Sequence, residues 1–227
     1  MDVIMAPVVG YWNIRGFASP IRNLLHYKEV EFEDKVYTIG PAPEYNISGW
    51  TSVKPTLGLD FPNLPYYIDG DVKLSQSLTI LRYLGRKYNL VGETEDETLR
   101  VELAEQQAVD LRHGLMIMLY FNPNFEKDKE EYLKKLPSLI EPIAKFLGPN
   151  SWVAGDKLTY ADFILYDALD FNRMFSPETF QSAGAEIVNN FLTRFENIPQ
   201  IKAYMTSGKY KKLPIVAPVA EWGGQSE

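Results

Sequence analysis

The sequence predicts an α/β domain followed by an all-α domain. Strand and helix patterns alternate over about the first 90 residues, in the order βαβ, a long loop and then ββα, and a mixed sheet flanked by helices accommodates that order. From about residue 95 the strand patterns stop, while the helical patterns continue. At 227 residues, the chain is long enough to bury a core in each of two small domains.

Local patterns place the elements of the first domain. In order, they are a strand over 7–12, a helix over 18–27, a strand over 32–38, short strands over 65–69 and 72–74, and a helix after Ser75. The stretch 69–71 reads Asp-Gly-Asp, which is typical of a tight hairpin turn between two strands. Leu78, Leu81 and Leu84 recur at helical spacing, so the last of these helices is expected to pack against a core. The proline-bearing segment between the second and third strands is expected to be irregular.

The second domain is predicted from helix-capping patterns. Thr94 and Glu97 form a capping box that opens a helix ending near residue 120. Thr159 and Asp162 form a second box, with aspartate in place of the usual glutamate, and Gly148 suits the end of a helix. Further helices are expected over 129–147, 185–195 and 199–206. We therefore assign the first domain to 7–93, the helical domain to 95–217 and an irregular tail to 218–227.

The composition excludes several classes of function. The net charge is −7 and the pI is about 5.0, so the chain lacks the positive charge expected of a nucleic-acid or anionic-membrane surface. It has no cysteines and two histidines, which excludes disulfides and thiolate metal sites and argues against a histidine metal cluster. The first residues make a poor signal peptide, and no run approaches the roughly 18 apolar residues of a membrane span. We therefore expect a cytoplasmic protein.

Catalytic chemistry must therefore come from tyrosine, from carboxylates or from a group that the ligand carries. Tyr11 and Trp12 end the first strand, at the mouth of a turn at Gly16, where a small polar residue would suffice. Leu64 precedes Pro65 at the entry to another strand. A cis bond there would leave the backbone of Leu64 free to pair with an extended peptide, whereas a trans bond would simply begin an edge strand.

Two other features have both a structural and a functional interpretation. Ser75 or Ser77 is expected to cap a helix, whose free amides, beside Gln76, suit a ligand carboxylate, although every helix needs some cap. Trp50 and Lys54 lie in the irregular loop. The tryptophan either covers the edge of the core or, with the lysine, holds a charged, peptide-like ligand.

The order of these features resembles that of the cytosolic glutathione S-transferases, specifically the mu class. The segments that carry the resemblance are GYWNIRG, YTIGPAPEYNISGW, LGLDFPNLPYYIDG, QSLTILRYLGRKYNL, NPNFEK, KLTYADFILYDALD and the Trp222-Gly223 pair of the tail. The second of these segments matches the extra loop that distinguishes the class. The resemblance covers essentially the whole chain. It implies a thioredoxin-like first domain, with a mixed four-stranded sheet that binds glutathione, and a helical second domain that binds an electrophile.

The resemblance also implies a role for each candidate residue. Tyr11 resembles the catalytic tyrosine, whose hydroxyl donates a hydrogen bond to the glutathione sulfur. The residues implied to bind glutathione are Tyr11, Trp12, Trp50, Lys54, Asn63, Leu64 (before a cis Pro65), Gln76, Ser77 and Asp110 of the partner subunit. The residues implied to face the electrophile are Ile14, Phe17 and Tyr120. Phe61 resembles an aromatic key that enters the neighbouring subunit of a homodimer. Reduced glutathione would be a cosubstrate, and no metal or other cofactor is expected.

Three positions depart from the pattern of the family. Ile47, three residues before Trp50, stands where an arginine is usual, and the missing cation should weaken binding of the glycyl carboxylate by about 1–3 kcal/mol. Asn13 replaces an aspartate, and Ala217 replaces a small polar residue that often faces the electrophile. The preferred electrophile therefore does not carry over from the family.

We expect an enzyme that conjugates reduced glutathione to hydrophobic electrophiles. The alternative is a non-catalytic protein on the same fold, which binds glutathione or hydrophobic ligands or has a structural role. Tyr11 and Tyr120 favour catalysis, and Ile47 favours the alternative. A disulfide exchanger of the thioredoxin type is excluded because the chain has no cysteine.

Overall fold

A mixed sheet organises the first part of the chain in the computed structural model, which describes residues 6–120, 122–182 and 184–225. Within these residues the sheet has four strands: β1, Val8–Trp12; β2, Glu33–Tyr37; β3, Tyr66–Asp69; and β4, Val72–Ser75. Their order in the sheet is β2-β1-β3-β4, with β1 parallel to β2 and antiparallel to β3. The predicted mixed, four-stranded sheet and the predicted order of its strands along the chain are therefore confirmed.

The sequence explains why β1 lies at the centre of the sheet. Val9 is fully buried and pairs with Asp34 on one side and with Tyr67 on the other. Gly10 allows a close approach, because a Cβ at this position would lie 2.0 Å from the Cε1 atom of Tyr66. The centre of the sheet thus packs an aromatic ring directly against the backbone of β1.

Short helical turns replace part of the expected loop. The helical elements of the first part of the chain are a 3-10 turn, Gly16–Ala18; α1, Ser19–Tyr27; α2, Ser48–Thr51; a second 3-10 turn, Lys54–Thr56; and α3, Ser77–Lys87. The segment predicted to be irregular therefore contains two short helical turns. Local hydrogen bonds build α2: the amide of Ser48 donates to the Asn46 Oδ1 atom at 2.7 Å.

The second half of the chain is helical within the described residues. Its helices are α4, Glu95–Tyr120; α5, Phe125–Leu147; α6, Tyr160–Phe175; α7, Pro177–Gln181; α8, Glu186–Glu196; and α9, Pro199–Met205. The helix predicted over 129–147 begins earlier, at Phe125, because Asn122 contacts Asp128 and the first turn carries acidic residues, which favour a helix N-terminus. The short helix α7 was not predicted. From Thr206 to Gln225, where the described residues end, the tail has no regular helix or strand.

The two predicted capping boxes differ in the structure. The box at Thr159 and Asp162 is complete, and the Asp162 carboxylate also accepts the amide of Val153 at 2.9 Å. At the start of α4, the Thr94 Oγ1 atom accepts the amide of Glu97 at 3.2 Å, but the Glu97 carboxylate accepts the amide of Glu93 instead of that of Thr94. The acceptor thus reaches one residue further back than a standard box requires.

The described residues fold as two compact units. One runs to Leu84 and also takes in the residues from Ala203 onward, and the other is Gly85–Lys202. The domain bounds 7–93, 95–217 and 218–227 remain sequence-based predictions. Among the described helices, none is both long and apolar enough to cross a bilayer.

Candidate functional site

The phenol of Tyr11 lies buried at the end of β1, beside the turn that leads into α1. Its Oη atom accepts a hydrogen bond from the backbone amide of Phe17 at 3.1 Å. The guanidinium of Arg22 lies 5.9 Å from the centre of the Tyr11 ring, within the range of a cation–π contact. The oxygen is thus held by the backbone, and the ring faces a positive charge.

Glycine is required at position 16 of this turn. Gly16 has a φ of +41°, in the left-handed region that L side chains rarely adopt. A Cβ at Gly16 would lie 2.4 Å from the Cε1 atom of Tyr11 and 2.6 Å from its Oη atom. Both the backbone conformation and the position of the phenol therefore depend on the missing side chain.

Arg22 holds the same turn from the side of α1. Its Nη1 atom donates to the carbonyl of Ile14 at 2.9 Å, and its Nε and Nη2 atoms donate to the carboxylate of Asp34 on β2 at 3.1 and 3.0 Å. Arg22 is buried, and burial of a guanidinium requires such a paired carboxylate. Sequence reasoning missed this residue. The signal was a single arginine within the apolar helix segment SPIRNLL.

One cluster contains six of the predicted site residues. These are Tyr11, Trp12, Ile14, Phe17, Trp50 and Leu64. Trp50 is only 4% exposed, stacks on Tyr66 at 6.1 Å between ring centres and meets Tyr37 edge-on. The hydroxyls of Tyr37 and Tyr66 lie 2.9 Å apart, and burial together with this hydrogen bond raises the pKa of Tyr66 above its usual value. The interpretation of Trp50 as a residue that covers the core is therefore correct, and its contact with a ligand stays a prediction.

The backbone before β3 has the geometry that the resemblance implied. The Leu64–Pro65 bond is cis. Leu64 is buried, and its amide donates to the Asn63 Oδ1 atom at 2.9 Å, whereas the rest of Asn63 is exposed. A ligand that pairs with the Leu64 amide must therefore displace the side chain of Asn63.

The start of α3 differs from the sequence prediction. Neither Ser75 nor Ser77 occupies the capping position, which belongs to Gln76, because α3 begins at Ser77 and the Gln76 carbonyl accepts the amide of Ile80 at 3.0 Å. Gln76 has a φ of +69°, an uncommon conformation for a side chain larger than glycine. The Ser75 hydroxyl instead donates to the carbonyl of Phe61 at 2.6 Å. A strained, exposed glutamine at a helix N-terminus points to a function.

The remaining predicted residues lie outside this cluster. Lys54 is exposed at the start of its 3-10 turn, and Ile47 is 39% exposed directly before α2. Phe61 is 74% exposed, which is unusual for phenylalanine. Asp110 is exposed and Tyr120 is half-buried, both on α4 in the second unit. Among the residues that the structure describes, no group of three or more potential ligands could hold a metal ion.

Comparison with known proteins gives full-length matches. The family profile "Glutathione S-transferase, N-terminal domain" matches residues 7–86, and "Glutathione S-transferase, C-terminal domain" matches 109–208. The chain is 50% identical to Glutathione S-transferase Mu 1 of Oryctolagus cuniculus, over 97% of this chain and 100% of that protein. It is 48% identical to Glutathione S-transferase 2 of Gallus gallus, over 98% and 100%. The crystal structure of the glutathione S-transferase Blo t 8 matches with a TM-score of 0.86 at 34% identity, covering 95% of this chain and 99% of that one.

Proposed function

The chain belongs to the glutathione S-transferase family, in its mu class, and conjugates glutathione, and we propose that the phenol of Tyr11 keeps the sulfur of this cosubstrate ionised. The observation that supports this most is the placement of Tyr11: a buried hydroxyl, fixed by the Phe17 amide at 3.1 Å, at the edge of the glutathione-binding domain. Membership of the family supports the conjugation reaction, and the geometry of Tyr11 supports stabilisation of the thiolate by its hydroxyl.

The phenol acts on the thiol by stabilising its anion. A free thiol has a pKa of about 8.5 and is mostly protonated at neutral pH, where the thiolate is the nucleophile. A hydrogen bond to the charged form lowers this pKa, and each unit of lowering corresponds to about 1.4 kcal/mol. Tyr11 donates a hydrogen bond from its O–H to the sulfur and keeps its own proton, and the thiol proton is released to solvent. The thiolate then attacks the electrophilic atom and forms a carbon–sulfur bond. In a substitution the leaving group departs with its bonding electron pair, and in an addition the displaced electron pair takes up a proton from solvent.

The surroundings of Tyr11 favour this role. Because its oxygen accepts the Phe17 amide from one side, the O–H is directed to the other side. Accepting one hydrogen bond polarises the hydroxyl and strengthens the one that it donates. The Arg22 guanidinium next to the ring acts in the same sense, since it withdraws electron density from the phenol. A donor held in place in this way needs little reorganisation as charge develops on the sulfur.

The rest of glutathione is proposed to bind along the same domain. The backbone of Leu64 pairs with the cysteinyl part, once Asn63 has rotated away from the Leu64 amide. Gln76 and Ser77 hold the γ-glutamyl carboxylate at the N-terminus of α3, where the free amides favour an anion. The residues proposed to hold the other polar groups and the glycyl end are Trp12, Trp50, Lys54 and Asn63. On the electrophile side, we propose Ile14, Phe17 and Tyr120.

We also propose that the active form is a homodimer, in which Phe61 inserts into a second copy of the chain. The second unit carries an apolar cavity of about 210 Å³ between α4 and α5, and its lining includes Leu103, Pro142, Ile143 and Phe146. A cavity of about 150 Å³ is large enough for a benzene ring, so this one accommodates the ring of Phe61. A two-fold axis would repeat the contact, so each chain supplies one key and one cavity.

The exposed face of α4 supports the same assembly. Leu99, Leu103 and Ile117 are large, exposed apolar residues on this helix, and they lie on the same face as Asp110 because their spacings of 4 and 7 residues match the helical repeat. A face of this composition is typical of a protein interface. Within the dimer, Asp110 would reach the glutamyl ammonium bound to the neighbouring chain. We further propose a cytoplasmic location, as for the cytosolic glutathione S-transferases that the sequence resembles.

Replacement of Tyr11 by phenylalanine tests the mechanism. Conjugation of glutathione to a chlorinated nitrobenzene should slow by about 100-fold, the effect of removing one donor from a preorganised anion site. The dissociation constant for glutathione should change little, because the peptide contacts remain. The control is Tyr27→Phe, which removes a hydroxyl from the end of α1. Equal rates for the parent protein and Tyr11→Phe would refute the role of the phenol.

A further inference from the structure

The turn between β1 and α1 uses each of its backbone amides. Those of Asn13 and Ile14 donate to carbonyls of Tyr37 and Trp12, at 2.8 and 2.7 Å. The amide of Phe17 alone donates to a side chain, the Tyr11 phenol. The turn therefore controls the position of the one amide that fixes the Tyr11 oxygen.

The amides of Arg15 and Gly16 are held by a distant part of the chain. They donate to the carbonyls of Pro214 and Ile215 at 2.8 and 2.9 Å, so the tail runs alongside the turn. The tail is itself closed by a loop, since the amide of Ile215 donates to the carbonyl of Gly223 at 2.9 Å. All these residues belong to the same compact unit.

One side-chain hydrogen bond reinforces this junction. The Lys211 Nζ atom donates to the Asn13 Oδ1 atom at 2.7 Å, across a separation of 198 residues. Lys211 is half-buried, and the charged groups that act on its ammonium are Arg22 and Asp34, the pair that holds the turn from the other side. The turn is thus fixed by Arg22 through its carbonyls and by the tail through its amides.

We propose that Lys211 and Asn13 are positioning residues for the conjugation reaction, since they fix the turn whose Phe17 amide orients the Tyr11 hydroxyl. The inference rests on the proposed role of Tyr11. Loss of the bond between Lys211 and Asn13 lets the turn move relative to the tail and weakens the hydrogen bond from the Phe17 amide to the phenol. A less polarised, less precisely directed O–H stabilises the thiolate less, so the pKa of the bound thiol rises.

The test is the pH dependence of kcat/KM for the electrophile, a chlorinated nitrobenzene, at saturating glutathione in the full-length protein, because this parameter reports the pKa of the thiol in the enzyme–glutathione complex. Lys211→Met keeps the apolar stem and removes the donor, and it should lower kcat/KM at neutral pH by about 2- to 10-fold, the range of one hydrogen bond. The pKa that limits kcat/KM on the acid side should rise with it. Lys212→Met is the matched control, because Lys212 is an exposed neighbour in the same segment, and it should leave the profile unchanged.

Two further variants separate positioning from a general loss of stability. Asn13→Ala should reproduce the shift of Lys211→Met, and the double variant should lose no more than either single one, because both remove the same bond. Tyr11→Phe, measured in the same way, separates the proposed role of Tyr11 from the proposed positioning role of Lys211 and Asn13. If Tyr11→Phe shifts the profile and Lys211→Met matches Lys212→Met, the positioning role is wrong. If Tyr11→Phe leaves the profile unchanged, the proposed mechanism itself is wrong.

Discussion

Substitution of Gly16 by alanine tests how tightly the turn confines the Tyr11 phenol. The new residue would have to adopt a φ of +41°, which costs roughly 1–2 kcal/mol for an L residue. Its Cβ would also lie 2.4 Å from the Tyr11 Cε1 atom and 2.6 Å from the Oη atom. Carbon atoms pack best about 3.5–4.0 Å apart, so the phenol would have to move by about 1 Å.

A displacement of this size is large for a catalytic group. A misplacement of about 1 Å can reduce a rate by about 100-fold, so kcat/KM for conjugation should fall by that order in Gly16→Ala. The assay is steady-state conjugation of a chlorinated nitrobenzene, together with the free energy of unfolding of the same preparation. The loss of stability should exceed the backbone cost alone, because the ring must also shift.

Gly70→Ala is the matched control for this prediction. Gly70 has a φ of +57°, and a Cβ there would meet no heavy atom within 4 Å. It should lose roughly 1–2 kcal/mol of stability, as an L residue in the left-handed region does, and keep its activity. If Gly16→Ala kept kcat/KM within twofold of the parent protein and was destabilised no more than Gly70→Ala, the turn would not confine the Tyr11 phenol.

Three further predictions concern the dimer, the acid side of the stability curve and the glycyl end of the site. Phe61→Ala should weaken self-association measured by sedimentation, since truncation of a buried phenylalanine to alanine costs about 3–5 kcal/mol, and an unchanged dimer would contradict the key-and-cavity contact. Burial, with help from Lys209 and Arg22, lowers the pKa of His26 from 6.5 to about 4 in the folded state, so stability is present above pH 6.5 and is lost as the pH falls toward 4. His26→Phe preserves the ring packing and should reduce the loss of unfolding free energy between pH 6.5 and pH 4 by about 1–3 kcal/mol, measured by urea unfolding. The same dependence of unfolding free energy on pH in the two proteins would show that His26 does not cause the loss. Ile47→Arg should tighten glutathione binding by about 1 kcal/mol in calorimetry, and an unchanged Kd would show that another group already supplies the cation.

Local sequence patterns predicted most of the fold because the helices, turns and caps depend on residues that are close together in the sequence. The turn at Gly70 and the Thr159–Asp162 box each depend on residues a few positions apart, and both occur as expected. The prediction failed where a candidate capping side chain bonds to a distant part of the chain instead. At the start of α3 the capping position fell to Gln76 although two serines flank it, because Ser75 ends a strand and bonds to Phe61 instead.

The candidate site was predictable only in part. A tyrosine at the end of a strand suggested a catalytic role, because a small polar residue would suffice at that position. A tryptophan in a loop suggested either packing against the core or ligand binding. The groups that orient the Tyr11 hydroxyl were not predictable, since they act through backbone amides and through contacts between distant segments. The bond between Lys211 and Asn13 joins positions 198 residues apart, and no local pattern records it. Arg22 is recognisable as a single arginine within an apolar helix segment, but its partner Asp34 lies on another element, so the pairing was not predictable from the local sequence.

The Tyr11 hydroxyl is proposed to keep the sulfur of bound glutathione ionised. The most direct measurement is a spectroscopic pH titration of the bound thiol, following the ultraviolet absorbance of its thiolate in the parent protein and in Tyr11→Phe. In the parent protein we expect a pKa below the usual value of about 8.5, and in Tyr11→Phe a return toward that value. A bound thiol with the same lowered pKa in both proteins would show that the Tyr11 hydroxyl does not stabilise the thiolate.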